Sequence, residues 1–263
     1  MTIHLNSFIF VYCCVLTLLF GAVVGSFLHC AAWRISRGES FVRGRSRCPV
    51  CGAVLAPRDL VPVVSYLVLR GRCRSCHAPI PARYPLSEGF CALMSLVCLL
   101  RFDLTVLGLR NWLFLCCLFL LSLTDLDAFL IPDGCLLFAA AVWVLSAPFL
   151  PLTLRGALSH AAAGLTYGAA ILAVSLLLDR LLGRESLGGG DVKLIALSGL
   201  YLGWVAALFA VILSCVLGLL FLSTRRERAE AFPFGPSIAA ATAVMLFFGD
   251  GLAAWYLGLL GLS

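Results

Sequence analysis

The stretch VKLIALSGLYLGWVAALFAVILSCVLGLLFLS, residues 192–223, determines the fold class, because after Lys193 it contains no charged side chain. A helix of roughly 20 apolar residues crosses a hydrocarbon core about 30 Å thick. Residues 192–223 are therefore long enough for two short membrane spans. Gly203, between Leu202 and Trp204, lies near the middle and is the expected turn. We predict a pair of membrane helices here.

The rest of the chain has the same character. Hydrophobic residues make up 62% and charged residues 12%, and the mean hydropathy is +1.05. A soluble domain of this length could not bury so much apolar surface. Other apolar runs lie at Phe8–Trp33, Leu86–Leu100, Leu107–Thr124, Gly134–Leu150, Gly156–Leu178 and Pro236–Phe248. The first is expected to be a retained span, not a cleaved signal. We predict an all-α polytopic integral membrane protein with about eight transmembrane helices.

The cationic residues predict the orientation. Of the 19 lysines and arginines, all but Arg101, Arg110 and Arg155 fall in alternate loops, ten of them between the first two spans. The positive-inside rule then places the N-terminus outside and this large loop in the cytoplasm. Topology accounts for the net charge of +6, so no nucleic-acid partner is inferred. Attraction to anionic lipid head groups is the milder interpretation.

The loop between the first two spans carries four cysteines in the pattern C-x2-C-x21-C-x2-C, at Cys48, Cys51, Cys73 and Cys76. Two such pairs can bring four thiolates onto a tetrahedral Zn²⁺, and so short a Pro-rich segment has little other core. A redox pair and unliganded thiols are the alternatives. We divide the chain into a first span (1–33), a cytoplasmic zinc-binding domain (34–85) and a multi-helix membrane domain (86–263).

Two aspartates stand where apolar runs meet polar loops. Asp125 opens DLDAFLIPD, and Asp191 closes GGGD. The predicted topology places both on the cytoplasmic side, where two neighbouring carboxylates could share a proton and activate a water, as in an aspartic peptidase. Each could instead be a solvated residue at a helix end, and Asp191 could be a simple N-cap. The rival hydrolase motifs HExxH and GxSxG do not occur.

The order of the motifs resembles the bacterial type IV prepilin peptidases, membrane aspartic peptidases of the GxGD class. The motifs are GSFL at 25–28, RSRCPVC at 45–51, LRGRCRSC at 69–76, DLD at 125–127 with IPD at 131–133, GGGDVKL at 188–194 and PFGP at 233–236. The resemblance implies that Asp125 and Asp191 are the catalytic pair and that Cys48, Cys51, Cys73 and Cys76 bind zinc. Its other motif members are Asp127, Asp133, Gly188, Gly190 and Lys193.

The resemblance also implies a function. The enzyme would cut the basic leader from type IV prepilins or type II secretion pseudopilins after a glycine, on the cytoplasmic side of a bacterial inner membrane. It would then methylate the new N-terminal amine with S-adenosylmethionine, an activity that the resemblance associates with the zinc-bound form. His29 and Cys30 stand where the family usually has Asn-Val, and Leu60 where it commonly has Asn. These departures are expected to affect substrate fit or methylation more than hydrolysis.

An alternative from another class is a membrane transporter or channel component with a cytoplasmic zinc module, in which the aspartates bind ions or protons. It predicts carboxylates deep within the spans. The sequence contains no recognisable methyl-donor motif and does not indicate the oligomeric state.

Overall fold

A computed structural model describes residues 7–183, 186–224 and 232–261, and within these ranges the chain is helical, without strands. The helices are α1 (Ser7–Ile35), α2 (Val64–Val68), α3 (Arg83–Phe102), α4 (Val106–Ala128), α5 (Asp133–Ser146), α6 (Leu154–Leu182), α7 (Gly189–Thr224) and α8 (Gly235–Leu259). The orientation prediction also used Arg184, Arg225, Arg226 and Arg228, which lie outside the described residues.

Membrane-spanning character is confirmed. Among the described residues, six helices are long and apolar enough to cross a bilayer: α1, α3, α4, α6, α7 and α8. Helix α5 is apolar but has only 14 residues, and a 3-10 turn at Ala147–Phe149 follows it. The number of passes stays a prediction. The predicted apolar run ended at Phe248, but helix α8 continues to Leu259. Residues 249–259 therefore also belong to the last helix.

The chain forms two compact units, Met1–Gly108 and Leu109–Ser263. In the first, α1 and α3 pack antiparallel through small residues. A methyl group added at Gly21 would lie 2.8 Å from the carbonyl oxygen of Cys91, and one added at Gly25 would lie 2.9 Å from that of Ser87. Small residues allow membrane helices to approach closely. Cys91 is buried in this contact between the two helices.

Hydrogen bonds connect the segment between α1 and α3 to both helices. At the end of α1, the Arg34 guanidinium donates to backbone carbonyls of Ser40, Arg43, Gly44 and Arg45 at 3.2–3.5 Å. From α3, the Glu88 carboxylate accepts a hydrogen bond of 2.7 Å from the backbone N–H of Val63. Both charged side chains thus satisfy backbone groups of the segment between α1 and α3.

In the second unit, α7 is broken at Gly203, as the sequence predicted. This glycine has φ 73° and ψ −167°, a conformation that only glycine adopts readily. Two contacts with α8 give the direction of the second half: Gly218 lies against Phe234, and Ala206 against Gly249. The second half is therefore antiparallel to α8.

In the first half of α7, the Ser198 hydroxyl lies 2.8 Å from that of Thr242. Ser198 and Thr242 stand seven residues after Asp191 and Gly235, which both lie beside Asp125, as described below. The first half is therefore parallel to α8 and antiparallel to the second half. Helix α7 is a hairpin whose two ends return to the same side.

Helix α6 covers the break in α7. His160 Nδ1 lies 3.1 Å from the Leu200 carbonyl, and the Tyr167 hydroxyl donates to the Trp204 carbonyl at 2.8 Å. These side chains satisfy carbonyls near the interrupted helix. On the N-terminal side of the break, Gly164 lies close to the backbone of Ala196. A methyl group added to Gly164 would lie 2.6 Å from the Ala196 carbonyl oxygen.

Candidate active site

Helix ends position the two predicted aspartates. Asp125 lies in the last turn of α4, and Asp191 is the third residue of α7. Because α7 begins at Gly189, Asp191 lies inside the first turn and is not the N-cap. After α4, Phe129 takes a positive φ of 53° and its N–H bonds to the Asp125 carbonyl at 2.9 Å. The chain thereby turns toward α5.

A close contact joins the segment after Asp125 to the start of α7. Gly190 faces Ile131 so closely that an added methyl group would lie 2.8 Å from the Ile131 Cβ. Glycine is the residue that permits such an approach. The third glycine of the GGGD motif, Gly190, therefore allows the loop after α4 to lie against the turn that carries Asp191.

The Asp125 carboxylate is buried, with 5% of the residue exposed. Its Oδ2 accepts a hydrogen bond of 2.9 Å from the backbone N–H of Gly235, the first residue of α8. A buried carboxylate requires such a partner. A third helix thus contributes to the site, through the PFGP motif at 233–236.

Asp191 interacts electrostatically with Asp125, so the structure brings the two carboxylates into one site. Its Oδ2 lies beside Gly188, where an added methyl group would be 3.4 Å away. Its Oδ1 is buried and has no hydrogen-bond partner among the described residues. A buried oxygen without a partner is the natural place for a water or a substrate atom.

The remaining motif residues surround this pair. Lys193 Nζ lies 2.7 Å from Asp133 Oδ1, which links the first turn of α7 to the first residue of α5. Both side chains are exposed, by 57% and 64%. Asp127 is also exposed, two residues after Asp125. These charged motif members are therefore exposed, whereas Asp125 is buried and Asp191 is half-buried.

The four predicted cysteine ligands also come together, in the first unit. Their Sγ atoms lie within 4.8 Å of one another, and those of Cys48 and Cys76 are 3.9 Å apart. Tetrahedral Zn²⁺ with Zn–S bonds of about 2.3 Å requires sulfur atoms about 3.8 Å apart. The cluster fits a metal ion such as zinc.

Two similar turns build this cluster. Cys48 exchanges backbone hydrogen bonds with Gly52 and Ala53, and Cys73 does so with His77 and Ala78, all at 2.9–3.0 Å. The residue after each second cysteine has a positive φ, 70° at Gly52 and 57° at His77. Each turn presents its two thiols on one side, so local backbone geometry forms the ligand set.

The thiols of this cluster share hydrogen bonds, and two of them differ in pKa. The backbone N–H of Cys51 lowers the pKa of the Cys48 thiol to about 7. At Cys76 a backbone hydrogen bond is outweighed by desolvation and by hydrogen bonds to the other three thiols, which raise the pKa to about 11. Of these two, Cys48 is therefore the thiol more readily available as a thiolate for metal binding. Between the two turns, Arg74 Nη2 lies 2.7 Å from Asp59 Oδ1, and the Arg74 hydrogen bond lowers the pKa of that carboxyl. This ion pair connects the second cysteine turn to the 3-10 helix that follows the first.

One departure from the family pattern has a structural role. His29 is buried on α1, its Nδ1 lies 3.0 Å from the Ser87 hydroxyl, and its ring packs at 4.3 Å on Tyr84. It thus contributes to the contact between α1 and α3. Leu60 is exposed at the end of a 3-10 turn.

The fold and these two sites define a polytopic helical membrane protein with paired aspartates and a four-cysteine cluster. Family profiles agree with this description: the bacterial peptidase A24 N-terminal domain matches residues 19–102, and the type IV leader peptidase family matches residues 112–223. No solved structure gives a significant match.

Curated relatives extend the match over most of the chain. The prepilin leader peptidase/N-methyltransferase of Bacillus subtilis is 31% identical over 245 residues, which cover 91% of this chain and 96% of that protein. The protein of the same name from Pseudomonas aeruginosa is 32% identical, with 96% and 95% covered. That of Myxococcus xanthus is 35% identical, with 89% and 72% covered. This chain belongs to the type IV leader peptidase family.

Proposed function

We propose that this protein is a membrane aspartic peptidase that removes the leader from type IV prepilins or type II secretion pseudopilins and then methylates the new N-terminus. The relatives are named for these two activities. The observation that carries the proposal is the proximity of Asp125 and Asp191. They lie at the ends of two membrane helices, although they are 66 residues apart in the sequence.

Two neighbouring carboxylates can supply both an acid and a base. One aspartate accepts a proton from a water molecule while the oxygen of that water attacks the scissile carbonyl carbon. The other aspartate donates a proton to the carbonyl oxygen. The resulting gem-diol collapses, the C–N bond breaks, and the leaving amine takes up a proton. The unpartnered Asp191 Oδ1 is available to hold the water or the diol in this sequence.

The position of the site at helix ends suits this chemistry. Hydrolysis requires water, which the hydrocarbon core excludes, and a helix end can meet the aqueous interface. We place the paired aspartates and the cysteine domain on the cytoplasmic side of the bacterial inner membrane, with the N-terminus outside. The apolar stem of a prepilin would then lie among the helices, and its basic leader would remain in the cytosol.

For the cysteine cluster we propose structural zinc, held by Cys48, Cys51, Cys73 and Cys76. Its donor set and spacing are those of a closed structural site, with no position open for chemistry. The relatives' names imply a methyl donor, and we propose S-adenosylmethionine, which supplies a methyl group to the free amine that cleavage creates.

The transporter alternative is not favoured. It predicts ionisable residues deep within the spans, whereas Asp125 and Asp191 occupy the last turn of α4 and the first turn of α7. Neither the family profiles nor the named relatives belong to a transport class.

The test is a processing assay on the purified chain in detergent or vesicles. A prepilin-like peptide with a basic leader, a glycine at the cleavage site and an apolar stem is incubated with and without S-adenosylmethionine. Intact mass then reports the products. The wild type should release the leader and add one methyl mass only when the donor is present. Asp125→Asn and Asp191→Asn should each lower cleavage by at least about a thousandfold, because neither carboxamide can replace the acid or the base.

Asp250→Asn provides a matched control, since Asp250 is an exposed aspartate within α8. It should cleave like the wild type. Full processing by Asp191→Asn would refute the paired mechanism. A zinc-loaded wild type that cleaves no leader would refute the proposed activity.

A further inference from the structure

The first turn of α8 leaves one backbone donor for Asp125. A helix begins with N–H groups that lack partners inside the helix. At the start of α8, Pro236 has no N–H, and the N–H groups of Ser237 and Ile238 bond to the Phe234 carbonyl at 3.0 and 3.2 Å. The remaining N–H in this turn, that of Gly235, donates to Asp125 Oδ2 at 2.9 Å.

The missing side chain of Gly235 matters as much as its N–H. A methyl group added here would lie 2.8 Å from Asp125 Oδ2, 3.2 Å from its Cγ and 3.4 Å from its Cβ. Gly235 is buried and is the first residue of α8. Space for the Asp125 carboxylate is therefore the physical reason for glycine at this position.

Aromatic packing holds the start of α8 in place. Phe234 lies against Gly218 near the end of α7, so closely that an added methyl group would be 2.9 Å from its ring. Phe232 packs between Phe234 and Phe221, with ring centroids at 6.3 and 5.6 Å. The α7 hairpin therefore carries Asp191 at its beginning and supports the Gly235 donor at its end.

We propose that Gly235 is a positioning residue of this enzyme: its N–H and its lack of a side chain fix the Asp125 carboxylate in the orientation that the paired site requires. The N-terminus of a 25-residue helix also places positive partial charge beside that carboxylate. Gly235 acts through Asp125.

The activity test compares Gly235→Ala with Gly251→Ala in the full chain. Gly251 lies in the same helix with nothing within 4 Å of an added methyl group. Gly235→Ala should lower kcat for leader removal by about tenfold to a hundredfold with KM within about twofold, because a displaced carboxylate impairs the chemical step and not binding. Zinc content and methylation of a leaderless peptide should stay at the wild-type level. Gly251→Ala should match the wild type throughout.

A second test does not depend on activity. Gly235→Ala should lower the Tm by several degrees in the wild-type background. In the Asp125→Ala background, where the crowded atoms are gone, the same substitution should leave the Tm unchanged or raise it slightly. This arm distinguishes the inference from the proposed peptidase function, on which the kinetic arm rests.

Two outcomes would overturn the positioning role of Gly235, and a third would refute only the peptidase function. Wild-type kcat in Gly235→Ala would overturn the positioning role. An equal loss of Tm in both backgrounds would show that the methyl group is disruptive for a reason other than Asp125, and would also overturn it. A coupled Tm effect together with an inactive wild type would leave the contact established and refute the peptidase function alone.

Discussion

The four-cysteine cluster is built from two turns that stand 25 residues apart and form their own backbone hydrogen bonds, whereas the paired-aspartate site draws on three helices. Each cysteine turn is complete within about six residues. Asp125, Asp191 and Gly235 meet only because α4, α7 and α8 pack together. The first site is formed mainly by local sequence and the second by tertiary structure. A substitution that disrupts one site should therefore leave the other intact.

The largest expected effect is on the local site. Cys73→Ser removes a buried cysteine of the proposed zinc site. Because a structural zinc site contributes much of the folding energy of so small a domain, zinc bound by the purified protein should fall to below about a tenth of the wild-type content. Methylation of a leaderless peptide should be lost, while leader cleavage should stay within about threefold of the wild type. Metal analysis and the two mass assays measure this.

The matched control is Cys215→Ser, at an exposed cysteine of α7 outside the cluster. It should retain both zinc and methylation. Equal loss of cleavage and methylation in Cys73→Ser would show that the two sites do not fail separately.

A smaller effect is expected where Gly190 lies against the Ile131 side chain near the paired aspartates. Gly190→Ala inserts a methyl group 2.8 Å from Ile131 Cβ, which should separate the two aspartate segments and lower kcat/KM for cleavage by about tenfold to a hundredfold. Adding Ile131→Gly should restore part of the activity because it removes all three crowded atoms, including Cβ. Steady-state kinetics on the peptide substrate would measure both changes.

Gly189→Ala is the adjacent control, since nothing lies within 4 Å of an added methyl group there. It should cleave like the wild type. If Gly189→Ala and Gly190→Ala lose activity equally, the contact with Ile131 is not the cause. The activity would then depend on the flexibility of the glycine run.

The smallest effect concerns the Lys193–Asp133 pair. Its atoms are 2.7 Å apart, but both side chains are more than half exposed, and such pairs contribute well under about 1 kcal/mol. Lys193→Met should lower cleavage by about twofold, with a difference that shrinks at high salt. The exchanged pair Lys193→Asp with Asp133→Lys should recover activity. A hundredfold loss in Lys193→Met that persists in high salt would give this lysine a direct part in the reaction.

The sequence predicted what depends on local pattern. The Cys-x2-Cys pairs predicted the cluster, the apolar runs predicted the helices, and Gly203 predicted the break in α7. It also placed Asp125 and Asp191 at helix ends. It could not provide their partners, because the Gly235 donor and the Ile131 contact join segments that lie tens of residues apart in the sequence. The PFGP motif was the available signal, but only the contact at 2.9 Å connects it to Asp125.

Two of the helices that begin beside the aspartates are short. Helix α5 has 14 residues, and the part of α7 before Gly203 has a similar length, so each rises about 21 Å against a hydrocarbon core of about 30 Å. Hydrophobic mismatch of this size is relieved by thinning of the bilayer or by oligomerisation. A locally thinned leaflet would shorten the path of water to the carboxylates, so bilayer thickness itself is expected to influence the rate of this enzyme.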